Sequence, residues 1–258
     1  MRIAVLSDIH ANLVALEAVL ADAGPVDAVW HLGDVVGYGP DPNGVVRRLR
    51  EIGALGVRGN HDAAAVGGSE IDWFNPDARR AMEWTRTQID DDTRRWLAEL
   101  PERRTDAGVE LVHGSPRQPL WEYVLSPGSA RANLDRLAGS LALHGHTHVP
   151  VLWRDADDGV ELVRAADTSH VVLDDRRGLL NPGSVGQPRD GIPTASYLLL
   201  DMPPVPGADA AVHAGDPAVG AGATVTWRRA AYDIRAVQEA MKAAHLPTFL
   251  VRRLELGA

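Results

Sequence analysis

"MRIAVLSDIHANLVALEAVLADAG", residues 1–24, contains the change of pattern that decides the fold class. The run "RIAVLSD" is apolar until it ends in polar residues, which is typical of a buried strand. In the segment that follows, Leu13, Leu16 and Leu20 recur at helical spacing, and a Gly-Pro pair then ends the helix. The stretch therefore predicts a strand followed directly by a helix.

The same alternation continues along the first half of the chain. "DAVWHLGD" predicts a second strand, and "DPNGVVRRLREIG" predicts a helix with Asp41 as its N-cap and Pro42 at its first position. "GALGVRGNHD" then predicts a third strand, and residues 75–100 predict helix beginning at Asn75. Strands that alternate with helices favour a parallel sheet with right-handed crossovers.

The second half of the chain has a different pattern. After residue 149, "VPVLWRD", "GVELVRA", "HVVLDD" and "ASYLLLD" predict short strands in an antiparallel meander. "ATVTWRRAAYD" is expected to pair with "ASYLLLD", and Asp233 to cap a last helix that a short basic tail follows. Residues 202–222 hold four Pro, four Gly and six Ala, which predicts a flexible loop. We expect a single domain over residues 1–258.

Composition narrows the classes of function. The net charge of −9 argues against a surface built for long nucleic acid, because such binding rests on clustered Lys and Arg. The chain has no cysteine, so any metal must be bound by nitrogen and oxygen ligands. The first apolar run is interrupted by Asp8 and His10, unlike a signal peptide or a membrane span. We therefore expect a cytoplasmic protein with no membrane partner.

Polar clusters end five of the apolar, strand-like runs. They are Asp8 and His10; Asp34; Asn60, His61 and Asp62; His113; and His146 and His148. Taken singly, an Asp-x-His pair is also typical of a helix cap, and Gly-Asp of a turn. Ligands bind beyond the carboxyl ends of strands in open α/β sheets, so we expect the five clusters to converge. Imidazole and carboxylate groups are suitable ligands for zinc, manganese and iron. Two such ions bound side by side commonly catalyse the hydrolysis of phosphate esters.

The ordered clusters resemble the signature of the calcineurin-like metallophosphoesterase superfamily. The matching motifs are Asp8-x-His10, Gly33-Asp34, Gly59-Asn60-His61-Asp62, His113 and Gly145-His146-Thr147-His148. "SDIHANL", "HLGDVVGYGPDP" and "NPGSVGQPRDG" are similar to the small bacterial phosphodiesterase branch. The resemblance implies a four-layer α/β/β/α sandwich of two mixed β-sheets flanked by helices. It also implies two divalent metal ions, with manganese, iron and zinc as the candidates.

The resemblance further implies a role for each residue of the signature. The implied ligands are Asp8, His10 and His148 for the first metal, Asn60, His113 and His146 for the second, and Asp34 as the bridge between them. His61 would protonate the leaving alkoxide or donate a hydrogen bond to the phosphoryl group. Asp62 would orient and charge the ring of His61.

The predicted function is hydrolysis of small nucleotide-type phosphodiesters by a metal-bridging hydroxide. A phosphomonoesterase or a dinucleoside polyphosphate hydrolase would use the same metals with a different pocket and remains an alternative. A non-catalytic scaffold of the same fold is less favoured, because every residue of the signature is present. Asn12 and Arg189 are candidates for substrate contact, although Asn12 could equally cap the first helix and Arg189 could be a surface arginine.

Overall fold

The computed structural model describes residues 1–166, 168–203 and 221–258. Most of the flexible loop that the sequence predicts at residues 202–222 therefore lies outside the described residues. No helix in the described ranges has the length and apolar character needed to cross a membrane.

Twelve strands occur in the described residues. They are β1 (Arg2–Leu6), β2 (Ala28–His31), β3 (Leu55–Gly56), β4 (Arg103–Asp106), β5 (Val109–Val112), β6 (Leu141–Leu143), β7 (Val151–Ala156), β8 (Gly159–Arg164), β9 (His170–Val172), β10 (Gly178–Asn181), β11 (Ala195–Asp201) and β12 (Thr224–Ala230). They form two six-stranded mixed sheets, in the orders β3-β2-β1-β11-β12-β9 and β4-β5-β6-β10-β7-β8.

Eight α-helices accompany these strands in the described part of the chain. They are α1 (Leu13–Ala23), α2 (Pro42–Glu51), α3 (Asn60–Ala65), α4 (Pro76–Gln88), α5 (Asp91–Glu99), α6 (Pro127–Leu134), α7 (Ile234–Ala243) and α8 (Thr248–Leu256). The predicted start signals of α2, α4 and α7 are confirmed, since the side chains of Asp41, Asn75 and Asp233 each accept a backbone N–H of the first turn.

The pairing of strands confirms the alternation predicted for the first half of the chain. β1 pairs in parallel with β2, and β2 pairs in parallel with β3. The predicted pairing of β11 with β12 is also confirmed, in an antiparallel register from Ala195 opposite Ala230 to Asp201 opposite Thr224.

The structure corrects several details of the sequence prediction. Residues 75–100 form two helices, because Asp90 caps α5 by accepting the N–H of Thr93. The basic tail contains the helix α8, which buries Leu250 and Leu254. β4, β10 and α6 were not predicted. The antiparallel meander is wrong in part, since β10 pairs in parallel with β6 and β9 joins the first sheet.

The burial pattern of β1 explains the four layers. Ile3 and Val5 belong to the buried cluster between the two sheets, which includes Leu143 of β6. Leu6 points to the other face and packs in the cluster that contains Leu16 of α1. Side chains alternate between the faces of a strand, so a strand that is apolar throughout can be buried on both. α6 covers the outer face of the second sheet, which confirms the predicted α/β/β/α sandwich.

Candidate metal centre

The loops that follow β1, β2 and β6 hold their polar residues in an uncommon backbone conformation. Five candidate ligands have φ between 50° and 65°, in the left-handed region: Asp8, His10, Asp34, His146 and His148. Non-glycine residues visit this region rarely, at a cost of about 1–3 kcal/mol each. Conformational strain is therefore concentrated where the strand ends of the two sheets meet.

The first group of side chains consists of Asp8, His10 and His148, all buried. The Nε2 atoms of His10 and His148 lie 3.2 Å apart, and Oδ1 of Asp8 lies 3.2 Å from Nε2 of His148. Asp8 is fixed through its other oxygen, Oδ2, which accepts the hydroxyl of Ser7 at 2.6 Å and the backbone N–H of His146 at 3.1 Å. Its Oδ1 has no assigned hydrogen-bond donor among the described residues and faces Nε2 of His148, as a ligand atom would.

The second group contains Asn60, His113 and His146. Nε2 of His113 lies 2.9 Å from Oδ1 of Asn60 and 3.0 Å from Nδ1 of His146. Asp34 belongs to both groups, because its Oδ2 lies 3.4 Å from Nε2 of His113 and 3.8 Å from Nε2 of His10. The structure thus brings together all seven residues predicted as metal ligands.

Backbone carbonyls determine which ring nitrogens face the site. Nδ1 of His10, His113 and His148 lies 3.3, 2.8 and 2.6 Å from a carbonyl oxygen. These carbonyls belong to Val36, Leu32 and Gln187 respectively. A carbonyl can only accept, so each Nδ1 donates to it and Nε2 is the ring nitrogen that faces the site. Imidazole nitrogens that converge with carboxylate and amide oxygens suit zinc, manganese or iron.

The electrostatics of the centre also favour positive charge. Burial opposes ionisation of Asp34, yet the neighbouring rings of His113 and His61 hold its pKa below the usual value. Burial alone would lower the pKa of His113, but Asp34 raises this pKa to about 9. The buried carboxylate of Asp34 therefore favours positive charge beside His113. A metal ion would meet the same electrostatic preference and would compete with the proton of the ring.

His61 lies at the edge of this centre with its ring between two aromatic side chains. Its ring centroid is 4.4 Å from that of Tyr38 and 4.6 Å from that of Phe74. Its Nδ1 is buried and has no hydrogen-bond partner in the described part of the chain. Burial lowers the pKa of His61 to about 4, so the ring is neutral at pH 7. This differs from the expectation of a charged ring.

The carboxylate of Asp62 accepts backbone N–H groups, and the structure shows no hydrogen bond from it to the ring of His61 among the described residues. Its Oδ1 accepts the N–H groups of Val35 and Val36 at 2.9 and 3.1 Å, and its Oδ2 accepts the N–H of Gly59 at 2.9 Å. Burial and the charge of Asp34 raise the pKa of Asp62 to about 7. Asp62 therefore holds the loop that carries Asp34, in place of the predicted role of orienting His61.

Close approach of two loops explains the glycine of "GNHD". A Cβ atom at Gly59 would collide with Oδ1 and the backbone nitrogen of Asp34. Oδ1 of Asp34 also accepts the N–H of His61 at 2.9 Å. Only glycine at position 59 lets α3 begin against this carboxylate.

The two candidates for substrate contact have different surroundings. Asn12 caps α1 by accepting the N–H of Ala15 at 3.0 Å, and its amide donates to the carbonyl of Gly186 at 3.2 Å. Both ends of the Asn12 side chain are thus used by the fold. Arg189 lines the cleft over the centre; its Nη2 donates to Gln187 at 3.1 Å, while its buried Nε has no partner among the described residues.

Aromatic side chains line much of the same cleft, which has a volume of about 110 Å³. They are Tyr38, Trp73, Phe74, Trp121 and Tyr123. These five residues have no role in the site predicted from the sequence, because they fall in segments with neither helical nor strand periodicity. The available signal was their concentration at Trp73-Phe74 and Trp121-x-Tyr123 in a chain with only 5% aromatic residues.

A sandwich of two mixed sheets with buried imidazole and carboxylate groups gathered at its strand ends is the architecture of a metallophosphoesterase. Residues 1–203 match the family model of the calcineurin-like phosphoesterase superfamily domain, and the chain belongs to this superfamily. The predicted family and the predicted enzyme class, phosphoric ester hydrolase, are thereby confirmed. The family uses divalent metals, in agreement with the donor groups described above.

Three similar proteins define the relationship further. A metallophosphoesterase from Sphaerobacter thermophilus of known structure is 41% identical, with a TM-score of 0.84 over 100% of this chain and 99% of that chain. An uncharacterized protein of Methanocaldococcus jannaschii is 35% identical over 263 residues, covering 99% of this chain and 98% of its own. Phosphodiesterase YfcE of Escherichia coli is 29% identical over 214 residues, covering 78% and 88%.

Proposed function

We propose that the protein is a phosphodiesterase that hydrolyses small nucleotide-type phosphodiesters with two bound divalent metal ions. The observation that carries this proposal is the position of Asp34, whose Oδ2 lies 3.4 Å from Nε2 of His113 and 3.8 Å from Nε2 of His10, between the two donor groups. Such an arrangement suits two neighbouring cations, because one carboxylate would contact both. The name of the relative YfcE, a phosphodiesterase, agrees with the proposed reaction.

The donor sets divide between two positions. Asp8, His10 and His148 would hold one ion, Asn60, His113 and His146 would hold the other, and Asp34 would contact both. When bound, divalent ions supply Lewis acidity toward phosphoryl oxygens and lower the pKa of bound water toward neutrality. The protein contributes the fixed orientation of these side chains through the backbone carbonyls that hold the imidazole rings.

His61 supplies a hydrogen-bond donor to the phosphate. A neutral imidazole retains one N–H, and the rings of Tyr38 and Phe74 hold it in place before substrate arrives. With a pKa of about 4, the free protein offers no imidazolium proton at neutral pH. Of the two roles that the resemblance implies for His61, a hydrogen bond to the phosphoryl oxygen is therefore favoured over protonation of the leaving group.

One cationic side chain accompanies the candidate metal ligands in the cleft. Arg189 is the single arginine or lysine among the described residues that line it. A phosphodiester carries one negative charge, whereas a phosphomonoester carries about 1.5 to 2 at neutral pH. The two proposed divalent ions would carry most of the positive charge that faces either ester, so the proposed preference for a diester follows the name of the relative YfcE. The small cleft and the net charge of −9 also fit a low-molecular-weight ester better than long nucleic acid.

A substrate panel tests this function. Protein stripped with a chelator and reloaded with Mn²⁺ is assayed with bis(p-nitrophenyl) phosphate, p-nitrophenyl phosphate, cyclic nucleotides, dinucleotides and dinucleoside polyphosphates. We expect turnover of the diesters that depends on metal, with kcat/KM at least about tenfold above that of the monoester. A preference for the monoester or for the polyphosphates would replace the proposal with that alternative. Absence of metal-dependent hydrolysis of every ester would refute it.

A further inference from the structure

The cleft has an unusually exposed aromatic wall. Trp73 is 73% exposed and Tyr123 is 46% exposed, although both are large rings that proteins usually bury at least in part. The ring centroids of Trp73 and Trp121 lie 5.1 Å apart at an angle of 62°, and Phe74 is 5.9 Å from Trp121. These are edge-to-face contacts, which leave one face of an outer ring free for a further ring.

The wall is continuous with the metal ligands. Tyr123 stacks on the ring of His146 with centroids 3.9 Å apart and an angle of 20°. Trp121 meets the same imidazole edge-on at 6.4 Å. Trp121 contacts both His146 and the exposed Trp73, so the aromatic wall extends from the candidate metal ligands toward solvent.

Polar contacts fix the segment that carries two of these rings. Glu122, which lies between Trp121 and Tyr123 in the chain, accepts the hydroxyl of Ser115 at 2.5 Å and the amide of Asn133 at 2.9 Å. Asn133 belongs to α6, so the segment is tied to the helix that covers the second sheet. Trp121 and Tyr123 are therefore placed before a ligand binds, which reduces the ordering entropy that these two rings lose on binding.

We propose that Trp73 and Trp121 form a subsite for the nucleobase of a nucleoside phosphate whose phosphate lies at the metal ligands. This inference rests on the proposed function and names the part of the substrate that the aromatic wall recognises. Stacking on aromatic side chains is tolerant of base identity, since every base has a π-face. The subsite thus selects nucleotides over base-free phosphate esters and discriminates little between purine and pyrimidine.

Binding measurements on the manganese-loaded protein test the subsite directly. Dissociation constants are measured by calorimetry for adenosine 5′-monophosphate and for ribose 5-phosphate, which lacks the base. We expect the nucleotide to bind about tenfold or more tightly, and W73A and W121A each to weaken it by about tenfold while leaving ribose 5-phosphate unchanged. W73F keeps an aromatic ring at this position and should bind the nucleotide more tightly than W73A does. F249A, which removes another exposed aromatic ring (58% exposed), should change neither constant.

Unfolding temperature and metal content of each variant show whether the loss of affinity is local. Equal affinity of the wild type for the two ligands, or equal weakening of both by W73A, would overturn the subsite. The proposed function is tested separately. If the protein binds the nucleotide through Trp73 but hydrolyses no diester, the subsite stands and the proposed reaction is refuted. If W73A and W121A leave the KM of a nucleotide diester unchanged while the diester is hydrolysed, the proposed reaction stands and the subsite is overturned.

Discussion

Oδ2 of Asp34 lies 3.4 Å from Nε2 of His113, and both side chains are buried. The same oxygen is 3.8 Å from Nε2 of His10, so one carboxylate faces both groups of imidazoles. The other oxygen of Asp34 accepts the backbone N–H of His61, which fixes the side chain in this position. The two donor groups are therefore expected to depend on Asp34 together.

Asp34→Asn should remove both metal ions, whereas His148→Ala should remove one. The substitution replaces the charged carboxylate that faces both metal positions by a neutral amide. His148, in contrast, belongs to the first group alone. The measurement is metal content per chain by elemental analysis after dialysis, with the unfolding midpoint as the control for folding. Equal metal content in the two variants would contradict a shared carboxylate.

Removal of metal should destabilise the folded protein. A ligand that binds only the native state at 100 times its Kd adds about 2.7 kcal/mol to the free energy of unfolding. For a chain of this size that corresponds to a rise in melting temperature of roughly 5–10 °C. Calorimetry of chelator-treated protein with and without added Mn²⁺ measures the difference. Identical melting temperatures would show that the buried donors hold no metal.

Asp62→Ala should cost stability through the backbone that this carboxylate holds. The substitution leaves the N–H groups of Val35, Val36 and Gly59 buried without their acceptor, at about 1–3 kcal/mol each. We expect the free energy of unfolding to fall by about 3 kcal/mol or more in denaturant titrations. Asp90→Ala is the matched control: it removes an exposed helix cap and should cost about 1 kcal/mol. A similar fall in the free energy of unfolding for Asp62→Ala and Asp90→Ala would show that Asp62 contributes no more than an ordinary helix cap.

The convergence of the candidate ligands and the parallel part of the first sheet could be predicted from the sequence because their signals are local. In "RIAVLSDIH" one apolar strand is followed at once by polar residues, and the parallel order of β1, β2 and β3 then brings such ends to one edge. The role of Asp62 has no such local signal. Its carboxylate accepts N–H groups some 26 residues away, which no spacing within "GNHD" reveals.

The elements that were missed depend on contacts between distant segments. β10 is a run of four residues, too short for a periodic pattern, and it exists because β6 and β7 pair with its two edges. The aromatic wall is similar: Trp73 and Trp121 lie 48 positions apart and meet only when the sandwich is folded. Local sequence patterns therefore predict the strand ends. They do not predict β10 or the aromatic wall, which form only through contacts between distant segments.

Arg189→Ala should weaken substrate binding more than it slows turnover. Its buried Nε has no partner in the described structure, and the side chain lines the cleft beside the metal ligands. A hydrogen bond to a charged group contributes about 1.5–3 kcal/mol, so KM for a phosphodiester should rise roughly 10- to 100-fold. Steady-state kinetics with Arg189→Lys should show an intermediate KM, and exposed Arg252→Ala should match the wild type. An unchanged KM in Arg189→Ala would place this arginine outside the substrate site.

His61→Ala should reduce kcat by about 10²- to 10⁴-fold while the metal content stays at the wild-type level. His61 contacts Tyr38 and Phe74, and one of its ring nitrogens lies within 4.8 Å of ligand atoms of His10 and Asp34. The role assigned to it is contact with the phosphate, so its loss should affect turnover more than metal content. Exposed His170→Ala serves as the control. Loss of metal from His61→Ala, or unchanged turnover, would contradict the assigned role.

The leaving group then distinguishes the two roles of His61. If the ring protonates the departing oxygen, the loss in His61→Ala should be far larger for an alkyl ester than for a p-nitrophenyl ester, whose leaving group needs no proton. If the ring donates a hydrogen bond to the phosphoryl oxygen, both esters should lose rate by the same factor, and His61→Gln should recover part of it through its amide N–H. A pKa of about 4 leaves no imidazolium to transfer a proton at pH 7, so the structure predicts equal losses for the two esters.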